Sequence, residues 1–139
     1  MKQFQESLRI DTRRGLTDVT RAVQRVIDGA GIRSGLCTVF IRHTSASLVI
    51  QENADPAVRR DLEAFLSRLV PDGDPLFTHV SEGPDDMPSH VKSALTRTTE
   101  SIPVAAGRLT LGTWQGIYVW EHRSGGDRRE LIVHVVGES

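Results

Sequence analysis

The chain has 139 residues, 38% of them hydrophobic and 25% charged, and 17 Lys+Arg against 18 Asp+Glu give a formal net charge of −1. This composition is typical of one soluble globular domain over residues 1–139 and excludes an intrinsically disordered chain. Near-zero charge and an aromatic content of 5% argue against nucleic acid as a partner, because phosphate backbones are bound by an excess of Lys and Arg, and unpaired bases by aromatic stacking.

Membrane insertion and secretion are not expected either. No apolar run reaches the roughly 20 residues of a transmembrane helix, and the first residues are too polar for a signal peptide. Cys37 is the single cysteine, so it has no disulfide partner, and its apolar neighbours predict a buried, unreactive thiol. These features predict a cytoplasmic protein.

The hydrophobic pattern predicts three helices and several strands. In chain order these are a strand at 3–10, a helix at 19–30, two strands or one kinked ribbon at 36–50, a helix at 56–70, a short helix that begins at 86–89, and four strands at 102–105, 108–112, 116–122 and 129–136. The first helix rests on apolar residues spaced by three and four, and the second on Asp55-Pro56, a pair typical of helix N-termini. Because the late strands do not alternate with helices, we predict the α+β class with a largely antiparallel sheet.

A long proline-containing connection over residues 72–88 carries most of the candidate chemistry. Five groups that bind metals or protons lie within twelve positions: His79, Glu82, Asp85, Asp86 and His90. Imidazoles and carboxylates bind transition metals or Mg²⁺, and they also transfer protons near neutral pH. The spacing matches no standard zinc motif. A solvated acidic loop is the alternative.

Two further polar residues continue the apolar faces of predicted strands. His43 is either a core histidine bonded to a serine or a backbone carbonyl, or a ligand or catalytic group. Glu121 needs a partner on its apolar face. A metal or a histidine would give it a functional role, whereas an ion pair with Arg123 or Arg129 would be structural.

Polar residues near predicted helix starts and turns are candidates for substrate binding. Asn53 and Asp55 precede the second helix, whose N-terminus favours anions, although Asp55 also fits a helix cap. His90 and Lys92 at the third helix predict either a phosphate site or ordinary capping. Gln115 precedes a glycine, a pattern that indicates close approach of a ligand or another subunit.

Four motifs occur in order along the chain: His43-Thr-Ser-Ala-Ser-Leu48, Glu52-Asn-Ala-Asp-Pro56, Asp86-Met-Pro-Ser-His-Val-Lys92, and Gly112-Thr-Trp-Gln-Gly-Ile117 followed by Glu121-His-Arg123. Together they closely resemble the YjbQ family, whose members are labelled secondary thiamine-phosphate synthase enzymes, over essentially the whole chain. The resemblance implies an α+β fold of antiparallel sheets packed as a sandwich. It also implies a homotrimer with sites near subunit boundaries.

The activity that the resemblance implies joins a pyrimidine pyrophosphate to a thiazole phosphate and releases pyrophosphate. A divalent metal, Mg²⁺ or Zn²⁺, or cationic side chains would stabilise the leaving group. Under this hypothesis, His79, Asp86 and His90 hold the metal, Asn53, Asp55, Lys92 and Gln115 bind substrate, and His43, His90 and Glu121 are catalytic. Two alternatives stay open: a non-catalytic trimer that binds a small phosphorylated metabolite or a metal, and a metal-dependent hydrolase, for which no nucleophile motif is present.

Overall fold

Three helices and eight strands form the fold in a computed structural model that describes all 139 residues. Their bounds are β1 Lys2–Asp11, β2 Gly15–Asp18, α1 Thr20–Ala30, β3 Ser34–Ile41, β4 Ala46–Glu52, α2 Pro56–Leu69, α3 Asp86–Leu95, β5 Thr99–Ala105, β6 Arg108–Leu109, β7 Gln115–Glu121 and β8 Arg128–Glu138. The predicted elements are all present, with shifted ends. The short strand β2 is additional, because no element is predicted between the first strand and the first helix.

The strands form two antiparallel sheets. The larger sheet has the order β1-β8-β3-β5-β6, and the smaller one has the order β2-β7-β4. Every pairing is antiparallel, which confirms the predicted α+β class. The segment at 36–50 is two strands rather than one kinked ribbon, and these strands, β3 and β4, belong to different sheets.

One cluster of 17 buried hydrophobic residues joins both sheets and α1. In β3, Cys37, Val39 and Ile41 are buried while the residues between them are not, as expected for a strand with one face toward the core. Burial raises the pKa of the Cys37 thiol to about 11, in agreement with the unreactive thiol predicted above.

Local capping fixes the starts of the first two helices. The Asp55 carboxylate accepts a hydrogen bond of 2.9 Å from the backbone N–H of Ala57 at the start of α2. Asp18 accepts one of 2.8 Å from Thr20 N at the start of α1, and Gly31 ends that helix in the left-handed conformation. None of the helices is long and apolar enough to span a membrane.

Helix α3 packs against the beginning of β4, where the Ser93 hydroxyl donates to the Ala46 carbonyl at 3.0 Å. The turn after β7 approaches the N-terminus of the same helix through Arg123. These contacts bring residues near 44, 86 and 123 together at one end of the small sheet. The candidate site lies at this end.

Candidate functional site

The loop before α3 and the first turns of that helix bring together the four side chains His79, Glu82, Asp86 and His90. Their ligand atoms all lie within 4.8 Å of one another. Asp86 Oδ2 is 2.7 Å from His79 Nε2 and 3.0 Å from His90 Nε2, and Glu82 Oε2 is 3.6 Å from His79 Nε2. We call these four residues the metal-ligand group. It contains the three residues for which the sequence predicts metal binding, and Glu82 in addition.

Helical spacing and a tight turn create this group. Asp86 and His90 are four residues apart on α3, so their side chains lie one turn apart on the same face. His79 reaches them from the loop, which reverses at Gly83 with a φ of 103°. This left-handed conformation favours glycine, because a side chain would clash with the backbone. His79 and His90 therefore meet although they are not a helical pair, because His79 lies in the loop and only His90 lies on α3.

Arg123 fixes the orientation of the Asp86 carboxylate. Its Nη1 donates to Asp86 Oδ1 at 2.8 Å, its Nε donates to Asp85 Oδ2 at 2.9 Å, and its Nη2 donates to the Glu82 carbonyl at 3.1 Å. One carboxylate oxygen of Asp86 is thus held by the protein while the other faces the two imidazoles. Such support is typical of the outer shell of metal sites.

The hydrogen bond of His90 to the backbone determines which ring nitrogen is available. His90 Nδ1 lies 2.9 Å from the Thr44 carbonyl oxygen, which can only accept, so Nδ1 carries the proton. The Nε2 lone pair then faces Asp86 Oδ2. That contact is favourable only with a second proton or a cation between the two atoms. Ligand atoms of one tetrahedral ion at about 2.0–2.2 Å lie about 3.3–3.6 Å from one another, so a small widening of the 2.7 and 3.0 Å separations would admit an ion.

Asp86 is ionised within this group. Its side chain is almost fully buried, which by itself would raise the pKa of the carboxyl. Hydrogen bonding to His79 and the charges of His90 and Arg123 outweigh burial and hold the pKa of Asp86 below its ordinary value. His79 and Glu82 are exposed, so an ion can reach the carboxylate from solvent.

Two cavities adjoin the metal-ligand group. The first, of about 340 Å³, is lined by His79 and by a largely apolar set: Phe77, Val80, Met87, Pro75, Pro84 and Pro88, with Gly73, Asp74 and Gly83. The second, of about 250 Å³, is lined by His90 and by His43, Thr44, Ser93, Ala94 and Thr98. The group is therefore open on one side to apolar surface and on the other to His43.

A third cavity, of about 400 Å³, lies at the end of the large sheet and has no hydrophobic residue in its lining. We call it the arginine pocket, and its residues are Arg9, Arg42, His43, Arg128, Arg129 and Glu130. His43 lines both this pocket and the cavity that contains His90. The arginine pocket is thus adjacent to the metal-ligand group through the segment His43-Thr44.

The ring of His43 is held by its neighbours. Its Nε2 accepts a hydrogen bond of 2.8 Å from the backbone N–H of Glu130, and its Nδ1 lies 3.3 Å from Arg129 Nη1. Burial and the Arg129 charge lower the pKa of His43. The imidazole is therefore neutral near pH 7 and forms part of the pocket wall. A catalytic role for it stays a prediction.

Glu121 forms the buried ion pair that was one of the two interpretations of it, and a catalytic role for it stays a prediction. It is completely buried, and its carboxylate accepts hydrogen bonds from Arg129 Nε at 2.7 Å, Thr12 Oγ1 at 2.5 Å and the Arg123 backbone N–H at 3.0 Å. Burial alone would raise the pKa of Glu121, but these donors lower it. The ion pair is formed with Arg129, which was one of the two partners considered, and both oxygens of Glu121 accept hydrogen bonds from within the protein.

Lys92 cannot bind a phosphate at the helix start as predicted, because its side chain points into the protein. Only 1% of its surface is exposed, and burial lowers the pKa of its ammonium. Lys92 lies two positions after His90 and therefore on another face of α3, but the spacing does not show which of the two faces is buried. The half-exposed His90 remains at the site.

Three other predicted substrate-binding residues lie at the opposite end of the small sheet. The register pairs Ala46 with Glu121 at one end and Glu52 with Gln115 at the other, six residues or about 20 Å along the strands. At that far end Asn53 Nδ2 donates to the Gln115 carbonyl at 3.3 Å, and Gln115 Oε1 accepts from Gly112 N at 2.8 Å.

Asp55 lies at that end too, where it caps α2, as the capping interpretation proposed. Within one chain, the structure therefore separates Asn53, Asp55 and Gln115 from the metal-ligand group.

The pocket arginines and the supporting role of Arg123 are not predicted from the sequence. Arg9, Arg42 and Arg128 come from three parts of the chain that meet because β8 lies between β1 and β3. Their only signal in the sequence is a charged residue at the end of each strand, which is common at protein surfaces.

Comparison with known proteins places the chain in a family. The family profile described as "UPF0047 protein YjbQ-like" matches residues 5–138. A UPF0047 protein of Synechocystis is 54% identical over 99% of this chain and 94% of its own length, and UPF0047 protein YjbQ of Escherichia coli is 42% identical over 97% and 99%. The crystal structure of a hypothetical protein from Aeropyrum pernix K1 superposes with a TM-score of 0.88 at 30% identity, covering 97% of this chain and 99% of that one. The chain therefore belongs to the UPF0047 family of YjbQ-like proteins.

Proposed function

We propose that the protein is a metal-dependent enzyme that acts on small phosphorylated substrates. The observation that carries the proposal is the Asp86 Oδ2 atom, which lies 2.7 and 3.0 Å from the Nε2 atoms of His79 and His90. Two imidazoles with carboxylates suit Zn²⁺ or another divalent transition metal better than Mg²⁺, which prefers oxygen ligands and water. A bound ion would supply positive charge next to a phosphoryl oxygen.

The reaction we propose is the transfer implied by the resemblance to the YjbQ family. A pyrimidine pyrophosphate and a thiazole phosphate would be joined as the bond between the pyrimidine unit and pyrophosphate breaks. The apolar cavity beside His79, with Phe77, Val80 and Met87 in its wall, supports this proposal because a heterocyclic ring needs such a surface. The metal-ligand group is adjacent to it, where the charge of the leaving pyrophosphate would be neutralised.

A second candidate is hydrolysis of a small phosphate ester. It is favoured by the exposure of His79 and Glu82, because an open site with two imidazoles and a carboxylate admits water beside the metal. The transfer requires a second phosphorylated substrate, whereas hydrolysis requires only one. This difference allows the two reactions to be separated by experiment.

Metal content is the first test. Purified protein is loaded with Zn²⁺, Mn²⁺ or Mg²⁺, freed of excess ion by gel filtration, and analysed by mass spectrometry of the metal. We expect about one transition-metal ion per chain. His90→Ala and Asp86→Asn should lose the ion, and His134→Ala, a matched control whose ring bonds Gln5 on the large sheet, should retain it. Equal metal content in all variants would contradict the proposed ligands.

Activity is the second test. The metal-loaded protein is incubated with both phosphorylated precursors, and separately with p-nitrophenyl phosphate, beside His90→Ala. Thiamine phosphate formed by the wild type and absent with His90→Ala would support the transfer. Release of p-nitrophenol alone would support hydrolysis. If neither product forms although the ion is bound, the enzyme proposal fails and a non-catalytic binding protein takes its place.

We also propose that the protein is a cytoplasmic homotrimer, as the sequence and the family resemblance imply. Leu36 and Phe40 support assembly, because they are 41% and 42% exposed on the outer face of β3, opposite Val136 and Ile132 of β8. Light scattering should give three times the 15.4 kDa of one chain. Leu36→Lys with Phe40→Lys should reduce the mass, and an unchanged mass would exclude this face as the interface.

A further inference from the structure

We propose that the arginine pocket binds a phosphate or pyrophosphate group of the substrate, separately from the group that approaches the metal. The inference rests on the proposed function, because it identifies the anion as part of a substrate. It assigns a binding role to Arg9, Arg42 and Arg128. The proposed substrates therefore carry two phosphate-bearing groups in total, either both on one molecule or one on each of two molecules.

Positive charge dominates the lining of the pocket, which contains four arginines and one carboxylate, that of Glu130. Arg129 pairs with the buried Glu121 and lies 3.8 Å from Asp127, and Arg42 pairs with Glu130 at 2.6 Å. Arg128 contacts only Asp11, at 3.2 Å, a residue whose side chain is 81% exposed. Arg9 forms no ion pair in the structure.

Exposed pairs such as these contribute little to stability, so Arg42 and Arg128 can turn toward a ligand at small cost. Guanidinium groups bind phosphate oxygens through paired N–H donors.

The lining selects an anion over an apolar group. No hydrophobic residue borders the cavity of about 400 Å³, so a hydrocarbon ring would find no surface to cover it. His43 completes the polar wall: its Nε2 accepts from Glu130 N, and its Nδ1 lies 3.3 Å from Arg129 Nη1. The chemistry fits inorganic phosphate or pyrophosphate as the minimal ligand.

The position of the pocket links the anion to the metal-ligand group. His43 borders both the arginine pocket and the cavity that contains His90, and the carbonyl of Thr44 bonds the His90 ring. A substrate with two phosphate-bearing groups would contact both places across His43 and Thr44. Two anion sites suit a transfer between two phosphorylated substrates better than hydrolysis of a monophosphate.

The test measures anion binding in the absence of metal. Chelator-treated protein is titrated with inorganic pyrophosphate and then with inorganic phosphate by calorimetry at low and moderate salt. The pocket variant Arg42→Gln/Arg128→Gln should bind at least about tenfold more weakly than the wild type, since each charge-assisted hydrogen bond contributes that much or more. The control Arg25→Gln/Arg68→Gln removes the same charge from exposed positions on α1 and α2 and should bind as the wild type does.

Two results would overturn the inference: no pyrophosphate binding by the wild type, or equal binding by the pocket variant and the wild type. Circular dichroism of each variant checks that the fold is retained. The metal-free His90→Ala protein distinguishes the two proposals, because it should still bind pyrophosphate. If the wild type binds no metal but the pocket variant loses pyrophosphate, the proposed function fails and the anion site stands. If metal is bound and pyrophosphate binding does not depend on the arginines, the anion site fails alone.

Discussion

Acid should destabilise the fold through His122, a histidine that the sequence does not single out. The side chain is completely buried, with Nε2 2.9 Å from Ser47 Oγ and with Nδ1 lacking any hydrogen-bond partner. Burial, followed by the charge of Lys92, lowers the pKa of His122 from 6.5 to about 3. The charge of Arg129 acts in the same direction and that of Glu121 opposes it. The folded protein therefore keeps this imidazole neutral over the mildly acidic range.

The sign and size of the effect follow from linkage. Between about pH 6.5 and pH 3 the unfolded chain binds a proton at His122 and the folded protein does not, so the free energy of unfolding falls as the pH falls through this window. When the pH is lowered from about 7.5 to about 5, roughly 1.5 pH units of that interval lie below 6.5, the pKa of His122 in the unfolded chain. At about 1.4 kcal/mol per unit, the expected loss is about 2 kcal/mol.

Urea unfolding followed by tryptophan fluorescence at both pH values measures this loss. His122→Gln keeps a polar group for Ser47 and does not titrate, so its loss between the two pH values should be about 2 kcal/mol smaller than that of the wild type. His43, whose pKa is also lowered, contributes equally to both proteins and cancels in the comparison. Equal pH dependence in the two proteins would refute the reasoning, because His122 would then accept a proton in the folded state.

Three further substitutions test the other structural assignments. Glu121→Gln leaves Arg129 buried without a carboxylate and should reduce the free energy of unfolding by about 3–5 kcal/mol, measured in urea, and a change below about 1 kcal/mol would contradict the structural role. Asp55→Ala removes the cap of α2 and should reduce the free energy of unfolding by about 1 kcal/mol, with metal content and pyrophosphate binding unchanged. Loss of metal or of pyrophosphate binding would show that Asp55 belongs to a site. Arg123→Gln frees the Asp86 carboxylate and should weaken metal affinity about 10–100-fold, measured by competition with a chelating dye. Unchanged affinity would show that Arg123 does not position Asp86.

The metal-ligand group could be predicted from the sequence because it is local. His79, Glu82, Asp86 and His90 lie within one loop and the first turns of one helix, so their meeting requires only a turn at Gly83 and the helical repeat. The same locality explains why the sequence predicts the cap of α2 by Asp55 correctly. Short-range geometry decides both features, and sequence patterns report short-range geometry well.

The residues predicted to bind substrate lie in different parts of the fold, and the sequence does not show how far apart those parts are. Asn53 and Gln115 come from the ends of β4 and β7 that are remote from Thr44 and Glu121, and only the register of the small sheet reveals the distance. The arginine pocket needs the strand order β1-β8-β3, which sequence patterns do not encode. For Lys92, the helical face decides burial, and that face depends on where β4 packs.

The end of β7 links the fold to both candidate sites. Glu121 points into the protein and binds Arg129, a wall of the arginine pocket, while Arg123 points outward and holds Asp86 of the metal-ligand group. The backbone N–H of Arg123 donates to Glu121 at 3.0 Å, so the two side chains are oriented by one short segment. A buried ion pair of this kind is often less stabilising than a well-packed apolar pair. Its presence here is explained by position, because an apolar pair could not orient both Arg123, which holds Asp86, and the pocket residue Arg129 from the same turn.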